Sequence, residues 1–148
     1  MERQLLEFDM QVRPFQDSDE AAVIALWEAA GLTRSWNDPR KDIERKRSVR
    51  REWFLVGTQA DAVIASIMIG YDGHRGWINY LAVSPAHRLQ GHARTLMREA
   101  ERLLAAAGCP KINLQIRSTN ASVIEFYKSI GYAQDDVVSF GRRLIADE

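Results

Sequence analysis

Hydrophobic and polar residues follow two different periods along the chain, and together these periods predict a sheet flanked by helices. A period of two, which is typical of half-buried strands, occurs in Met10–Phe15 and in Lys111–Ile116. Pro14 favours an edge position for the first strand, because proline cannot donate to a ladder. Apolar residues three and four positions apart predict three helical faces: Val23, Leu26, Trp27 and Ala30; Ala93, Leu96, Met97, Ala100, Leu103 and Leu104; and Val123, Phe126, Tyr127 and Ile130.

Turn residues divide the apolar runs in the middle of the chain. Trp53–Val56, Ala62–Tyr71 and Trp77–Val83 are predicted strands, and short turns at Gln59–Asp61 and Asp72–Gly76 join them. Loops this short connect neighbouring strands that run in opposite directions. We therefore predict an antiparallel meander.

Capping residues indicate where the helices begin and end. Asp17–Glu20 resembles a capping box with its first aspartate as the N-cap, and Gly31 can end that helix. Asp38–Pro39 predicts the start of a second helix, with aspartate as the N-cap and proline at the first helical position. The remaining two helices are predicted to end near Gly108 and at Gly131.

The predicted order of elements is β-α-α-β-β-β-α-β-α-β, with Asp136–Leu144 as the last strand and residues 1–9 as a loose leader. The crossover from Trp77–Val83 through a helix to Lys111–Ile116 should be right-handed and should make these two strands parallel. We expect an α+β, or mixed α/β, fold: a central mixed sheet with an antiparallel N-terminal meander, flanked by about four helices. The 148 residues fit a single domain, with a core over about residues 10–144.

Charge and composition restrict the classes of partner. The chain has 20 Lys and Arg against 20 Asp and Glu, so we expect neither nucleic acid nor a membrane as partner. Arg40–Arg51 is locally basic, with seven basic and two acidic residues, and is predicted to be a solvated helix face. The longest apolar run, Ala62–Gly70, is too short to cross a bilayer as a helix, and Met1–Gln4 lacks the apolar core of a signal peptide.

Cysteine and histidine usage predicts no metal and a cytoplasmic location. Cys109 is the single cysteine, which suits a reducing compartment, and we interpret it as a small buried side chain rather than a nucleophile. His74, His87 and His92 do not have the usual spacing of metal ligands.

The candidate chemistry lies where the third meander strand leads into the central helix. After Pro85 comes a short polar loop with Gln90 and Gly91, and the helix follows. The first turn of a helix carries unpaired N–H groups and the positive end of the helix dipole, which together suit a phosphate. An ordinary βα turn has the same pattern, so the loop alone does not decide between the two.

Two motifs resemble the GNAT family of N-acetyltransferases. Arg88–Ala93 fits the acyl-CoA pattern R/Q-x-x-G-x-G/A of that family, and Asn120–Tyr132 is similar to its N-x6-Y-x3-G-F/Y segment. The resemblance extends over about residues 10–144, and Trp36–Pro39 and Gly70–Gly76 look like segments of a bacterial subgroup. Leu89 stands where many members have glycine, which predicts a stiffer loop.

The resemblance implies that acetyl-CoA is the cosubstrate and that its pantetheine arm enters a gap between two splayed strands, Trp77–Val83 and Lys111–Ile116. Main-chain groups would meet the thioester carbonyl and the arm, N–H groups of the loop would hold the pyrophosphate, and Arg88 would add positive charge. The residues implied in cofactor binding are Leu81, Ala82, Val83, Arg88, Leu89, Gln90, Gly91, His92, Ala93, Arg94 and Asn120.

Tyr127 matches the family tyrosine that protonates or hydrogen-bonds the departing thiolate, and is the one implied catalytic residue. The general base stays open. Members that acetylate ribosomal protein N-termini have a glutamate where this chain has Gln115, and an amide cannot accept that proton. Asp72, His74, Tyr80 and a water chain are the alternatives.

The resulting hypothesis is an N-acetyltransferase that moves acetyl from acetyl-CoA to an amine of a small molecule or a protein by direct attack on the thioester. The alternative hypothesis is a non-catalytic module that binds or senses acyl-CoA. A homodimer is possible on the family resemblance, since many members dimerise.

Overall fold

A computed structural model describes residues 9–147, in which five strands form one sheet and four α-helices lie against it. The expected leader, residues 1–9, lies outside this description apart from Asp9. The strands are β1 (Gln11–Pro14), β2 (Phe54–Gln59), β3 (Ala62–Tyr71), β4 (Gly76–Val83) and β5 (Ile112–Leu114). The helices are α1 (Glu20–Ala29), α2 (Pro39–Arg47), α3 (His92–Ala106) and α4 (Ala121–Ser129).

The strands lie in the order β1-β2-β3-β4-β5, which confirms the predicted mixed sheet. Neighbours from β1 to β4 are antiparallel, whereas β4 and β5 are parallel. Ala60 and Asp61 turn β2 into β3 with φ values of 48° and 64°, the left-handed pair that a two-residue hairpin requires. The predicted meander is therefore confirmed.

Side chains on β2 and β3 alternate between two hydrophobic cores, one on each face of the sheet. Leu55, Ile67 and Ile69 pack with α3 and α4 on one face. Phe54, Val56 and Met68 pack with α1 and α2 on the other face. The helices contribute Leu96, Met97, Ala100, Leu104 and Tyr127 to the first core and Val23, Leu26, Trp27 and Ile43 to the second.

The start of α2 is confirmed, and the capping box before α1 is shifted. Asp38 accepts a hydrogen bond from the Arg40 N–H at 2.9 Å, and Pro39 occupies the first turn. Before α1, a 3₁₀ turn intervenes, and the box joins Gln16 to Asp19 instead of beginning at Asp17. The Asp19 carboxylate accepts the Gln16 N–H at 2.8 Å and pairs with Arg13 at 2.7 Å, which explains why it is held in this place.

Two strand predictions need correction. β5 is three residues long rather than Lys111–Ile116, because its pairing with β4 ends at Leu114. Asp136–Leu144 forms no strand, and its apolar side chains, among them Phe140, are exposed. Residues 133–147 are held by side-chain contacts of Asp135, Ser139 and Asp147 and not by strand pairing.

Within residues 9–147, none of the helices combines the length and the apolar character that a bilayer crossing requires.

Candidate functional site

The N-terminus of α3 presents backbone N–H groups that no helical carbonyl can accept. The first hydrogen bond of the helix runs from the Thr95 N–H to the Gly91 carbonyl at 3.0 Å. The N–H groups of His92, Ala93 and Arg94 therefore precede the helical ladder. Gly91 has a φ of 81°, which favours glycine, and a Cβ built on it would meet no described atom within 4 Å.

The loop before α3 is electropositive. Arg88 and Arg94 are exposed, and the first turn of α3 contains no acidic residue. His92 lies near Gln90, at 3.2 Å between Nε2 and Oε1, and burial together with the neighbouring His87 lowers the pKa of its imidazole. Positive side chains, free N–H groups and the helix dipole together make this loop suitable for a phosphate.

β4 and β5 separate at the end of β4 that leads to this loop. Their pairing stops at Ile78 and Leu114, whereas β4 continues to Val83 along β3. Beyond Ile78, β4 has no described strand beside it on the β5 side. The pairing of the two strands therefore ends where the gap was expected, and Leu81, Ala82 and Val83 lie on β4 beyond that point.

A bulge in β4 lies at the gap. Tyr80 and Leu81 both fall opposite Ile67 of β3, and Tyr80 has a φ of 51°, an uncommon conformation for a bulky residue. The Ser66 hydroxyl donates to the Tyr80 carbonyl at 2.8 Å and accepts from the Trp27 indole N–H at 2.8 Å. The Tyr80 ring also stacks on Trp27, with 3.8 Å between the ring centres. These contacts fix the conformation of the bulge.

Tyr127 lies on α4 in the core that also receives Leu81 and Val83. Its side chain is 7% exposed, and its ring meets Tyr132 edge-on with 5.6 Å between the ring centres. Within residues 9–147 its hydroxyl makes no hydrogen bond. Burial, with a smaller effect of Tyr132, raises the pKa of Tyr127 well above its ordinary value, so the phenol stays neutral.

Asn120 is the N-cap of α4, and its side-chain oxygen accepts the Val123 N–H at 3.4 Å. The residue is exposed at the start of the helix. The capping role is therefore observed, and the implied contact with a cofactor arm stays a prediction.

The candidate general bases differ in their basicity and in their distance from the end of the β4–β5 pairing. Asp72 accepts the backbone N–H groups of His74 and Arg75 at 2.7 Å each, and these bonds lower its pKa to about 2, so it is a weak base. Asp72 and His74 lie before Gly76, and Gly76 is roughly 16 Å from Leu81 along β4 at about 3.3 Å per residue. This turn is thus at the opposite end of the strand from the gap.

Tyr80 is also unsuited to accept a proton. Its hydroxyl donates to Asp42 Oδ2 at 2.6 Å, and burial followed by this bond raises its pKa above the ordinary tyrosine value. Gln115 is exposed and donates to the Ser139 hydroxyl. Position or hydrogen bonding argues against Asp72, His74 and Tyr80 as the general base. Of the four alternatives, the water chain is therefore the one that we retain.

A family model described as the acetyltransferase (GNAT) family matches residues 17–132. The chain belongs to the GNAT acetyltransferase family. An acetyltransferase of Yersinia enterocolitica is 46% identical over 139 residues, which cover 94% of this chain and 99% of the relative.

Solved structures with a similar fold include other acetyltransferases. Ard1 from Thermoplasma volcanium has a TM-score of 0.71 at 22% identity, over 84% of this chain and 82% of that chain. AAC(6')-Iy, in complex with the bisubstrate analogue CoA-S-monomethyl-acetylneamine, has a TM-score of 0.72 at 17% identity, over 93% of this chain and 99% of that chain. The predicted GNAT fold is thereby confirmed.

This GNAT acetyltransferase has an open cavity of about 570 Å³ that sequence patterns did not reveal. It lies between Trp36, Arg45 and residues 141–145. Arg45 pairs with Asp42 at 2.9 Å, and Asp42 in turn accepts the Tyr80 hydroxyl, so two side-chain contacts connect the cavity to the bulge of β4. The one sequence signal for this region was the Trp36–Pro39 segment.

Proposed function

We propose that this protein transfers an acetyl group from acetyl-CoA to an amine of a small molecule or a protein. The observation that carries the proposal is the arrangement of three elements. Free N–H groups begin α3, β4 has no described strand beside it beyond Ile78, and Tyr127 of α4 packs in the core that also receives Leu81 and Val83. A phosphate end, an extended arm and a thiol end of one ligand would need these three features in this order.

The binding roles follow from the chemistry of each feature. N–H groups from Gln90 to Arg94 would hold the pyrophosphate, and Arg88 would add charge beside it. Main-chain groups of Leu81, Ala82 and Val83 would pair with the arm and would aim an N–H at the thioester oxygen that becomes negative during attack. The support for this role is the bulge at Tyr80, which turns the following backbone away from regular pairing.

The proposed reaction is direct. The amine nitrogen forms a bond to the thioester carbon, the carbon–sulfur bond breaks, and the sulfur leaves as a thiolate that accepts a hydrogen bond or proton from Tyr127. The nitrogen loses its proton to a water chain. Cys109 supports a direct route, because its Sγ contacts the Lys111 carbonyl at 3.3 Å and lies beside Gly76, at the far end of β4.

The rival proposal is a module that binds acyl-CoA without turning it over. It is favoured by the absence of a carboxylate at Gln115 and by the hydrogen bonds that occupy Asp72. Both proposals require the α3 loop, whereas acetyl transfer alone requires Tyr127.

The single cysteine of the sequence also leads us to propose a cytoplasmic location.

The test is to incubate the purified chain with acetyl-CoA and a panel of small amines and peptides. Free thiol and the mass of the acetylated product are both measured, with binding of acetyl-CoA followed by calorimetry. Binding with amine-dependent thiol release and an acetylated product supports the transferase. Binding without product supports the rival, and a lack of binding contradicts both.

A further inference from the structure

The cavity between α2 and residues 141–145 is lined by three arginines, two of which also lie within 4 Å of the carboxylate of Asp147. Arg45, Arg142 and Arg143 line it, and no carboxylate contributes to the lining. Beside it, the guanidinium of Arg117 lies 5.6 Å from the centre of the Trp36 ring. Arg117 lies on the stretch of chain that follows the end of the β4–β5 pairing, and Trp36 is the lining residue that it contacts.

Two of these arginines already have structural partners. Arg45 pairs with Asp147 at 2.6 Å and with Asp42 at 2.9 Å. Arg143 donates to the Ile145 carbonyl at 3.2 Å and to the side chain of Asn37. These contacts hold the wall of the cavity in place.

The other two arginines have no acidic partner within residues 9–147. Neither Arg117 nor Arg142 forms an ion pair there, and both are exposed. A guanidinium offers paired N–H donors that match the two oxygens of a carboxylate or phosphate. Trp36 is 48% exposed and adds an apolar surface next to them.

We propose that the acceptor of this acetyltransferase is a small amine that also carries a carboxylate or phosphate, and that Arg117 and Arg142 bind that anionic group beside Trp36. This inference rests on the proposed acetyl transfer. The cavity has the size of small-molecule sites, which span about 300–1,000 Å³. Its lining residue Arg45 contacts Asp42, which accepts the Tyr80 hydroxyl, so the cavity is two side-chain contacts away from the bulge of β4.

The test compares matched pairs of amines, with CoA bound for the affinity measurements and with acetyl-CoA present for the acetylation assays. L-phenylalanine against L-phenylalaninamide isolates a carboxylate, and phosphoethanolamine against ethanolamine isolates a phosphate. Affinity is measured by calorimetry and acetylation by mass spectrometry. We expect the anionic member of at least one pair to bind about tenfold tighter or more, which corresponds to about 1.4 kcal/mol, and to be acetylated in preference.

Variants assign the preference to the arginines. Arg117→Gln and Arg142→Gln should each remove most of it while leaving acetyl-CoA affinity unchanged, and Arg117→Lys should restore part of it. Arg102→Gln is the matched control, because Arg102 is an exposed arginine on α3 whose partner is Glu99. It should bind every amine like the parent.

The outcomes separate this inference from the proposed function. Acetylation of amines with no preference for the anionic member, or with no effect of either arginine, overturns the inference and leaves the acetyltransferase intact. Preferential binding of anionic amines with no acetylation of any amine overturns both the acceptor role of the cavity and the proposed transfer. Equal or absent binding of both members in both pairs also contradicts the inference.

Discussion

Tyr127 combines a ring fixed in the core with a hydroxyl that no described residue engages. A thiol such as that of CoA has a pKa of about 8.5 and a free tyrosine about 10, so proton transfer from tyrosine to thiolate is already uphill. Burial raises the pKa of Tyr127 further. The hydroxyl is therefore suited to donate a hydrogen bond to a developing thiolate rather than to give up its proton.

Tyr127→Phe should lower kcat by up to about 100-fold, the lower part of the range for acid catalysis, and should leave acetyl-CoA affinity nearly unchanged. The interaction strengthens only as charge develops on sulfur. Because the phenol is neutral at all pH values below about 10, the pH–rate profile of the parent should show no tyrosine limb there. Rates at saturating acetyl-CoA, with chemistry limiting, are measured for both proteins. A variant with the parental kcat would remove Tyr127 from the mechanism.

Gln115 offers a gain-of-function test, because the family resemblance implies a glutamate at this position in members that acetylate ribosomal protein N-termini. The parent should act poorly on ribosomal-protein N-terminal peptides, and Gln115→Glu should raise that rate by roughly tenfold or less, since an exposed carboxylate has a pKa near 4.3 and is a weak base. Ser139→Ala is the control for loss of the side-chain contact. Efficient acetylation of such peptides by the parent would contradict this prediction.

At the scale of elements, the bulge of β4 depends on one buried hydroxyl. Ser66→Ala removes the acceptor of the Trp27 indole N–H and the donor to the Tyr80 carbonyl. Leaving buried polar groups unpaired costs about 1–3 kcal/mol, so the free energy of unfolding should fall by that amount. We also expect kcat to fall, because the backbone at Leu81 loses its fixed direction.

Urea denaturation and steady-state kinetics check this prediction. Ser129→Ala is the matched control, because the Ser129 hydroxyl bonds to the carbonyl of Phe126 at the exposed end of α4. That variant should change both quantities little. A Ser66→Ala protein with parental stability and rate would show that the bulge is held without the hydroxyl.

Substitutions of Gly91, the residue before α3, can separate the effect of backbone strain on stability from the effect of a new side chain on ligand binding. Gly91→Ala places a side chain at a φ of 81°, which costs about 1–2 kcal/mol of stability. Its new methyl would meet no described atom within 4 Å, so we expect a loss of acetyl-CoA affinity to arise from contact with the ligand. We expect weaker binding for Gly91→Ala and a larger loss for Gly91→Val.

Gly73→Ala is the matched control, because Gly73 has a φ of 90°, open space around it and a place in the turn far from α3. It should lose similar stability and keep parental affinity. Calorimetry with acetyl-CoA and thermal unfolding measure the two quantities. Equal affinities in the Gly91 and Gly73 variants would contradict the proposed phosphate site.

Most elements could be predicted because burial leaves a local pattern in the sequence. β3 has the predicted bounds, and α2 begins at its predicted proline. Asp136–Leu144 was predicted wrongly because a strand also needs a partner edge. Composition suited a strand, but neighbouring residues such as Val137 and Val138 do not alternate, and β5 is too short to pair along the segment.

At the scale of the whole molecule, the candidate site also has one part that the sequence could predict and another part that it could not. The α3 loop and the Tyr127 motif are local, so sequence could predict them. The bond from Tyr80 to Asp42 spans 38 residues and the bond from Arg45 to Asp147 spans 102. No short pattern encodes contacts at such separations, and for this reason the basic cavity was not predicted.

Asp147 joins the last part of the described chain to α2. Its carboxylate is 1% exposed, pairs with Arg45 at 2.6 Å and accepts the Asp38 N–H at 2.9 Å. The hydrogen bond from Arg45, followed by that from Asp38, lowers the pKa of Asp147 to about 2. Residues 133–147, and with them one wall of the cavity, are therefore attached through an ionised carboxylate.

Because the pKa of Asp147 is lower in the folded state than in the unfolded state, the ionised carboxylate stabilises the fold and its protonation at low pH destabilises it. An unfolded aspartate titrates near 3.9, so the contribution of Asp147 to stability is complete above that pH and is lost as the pH falls from about 4 to about 2. The NMR order parameters of the backbone amides in residues 133–147 should fall over this window and stay constant above about pH 5. Asp147→Asn should show the lower order parameters already at pH 7 and should lose the acid step, because the amide carries no charge. Asp135→Asn, which removes an exposed pair with Lys111, is the control and should retain the acid step, since exposed pairs contribute little. An acid step of the same size in Asp147→Asn would show that another group attaches the segment to α2.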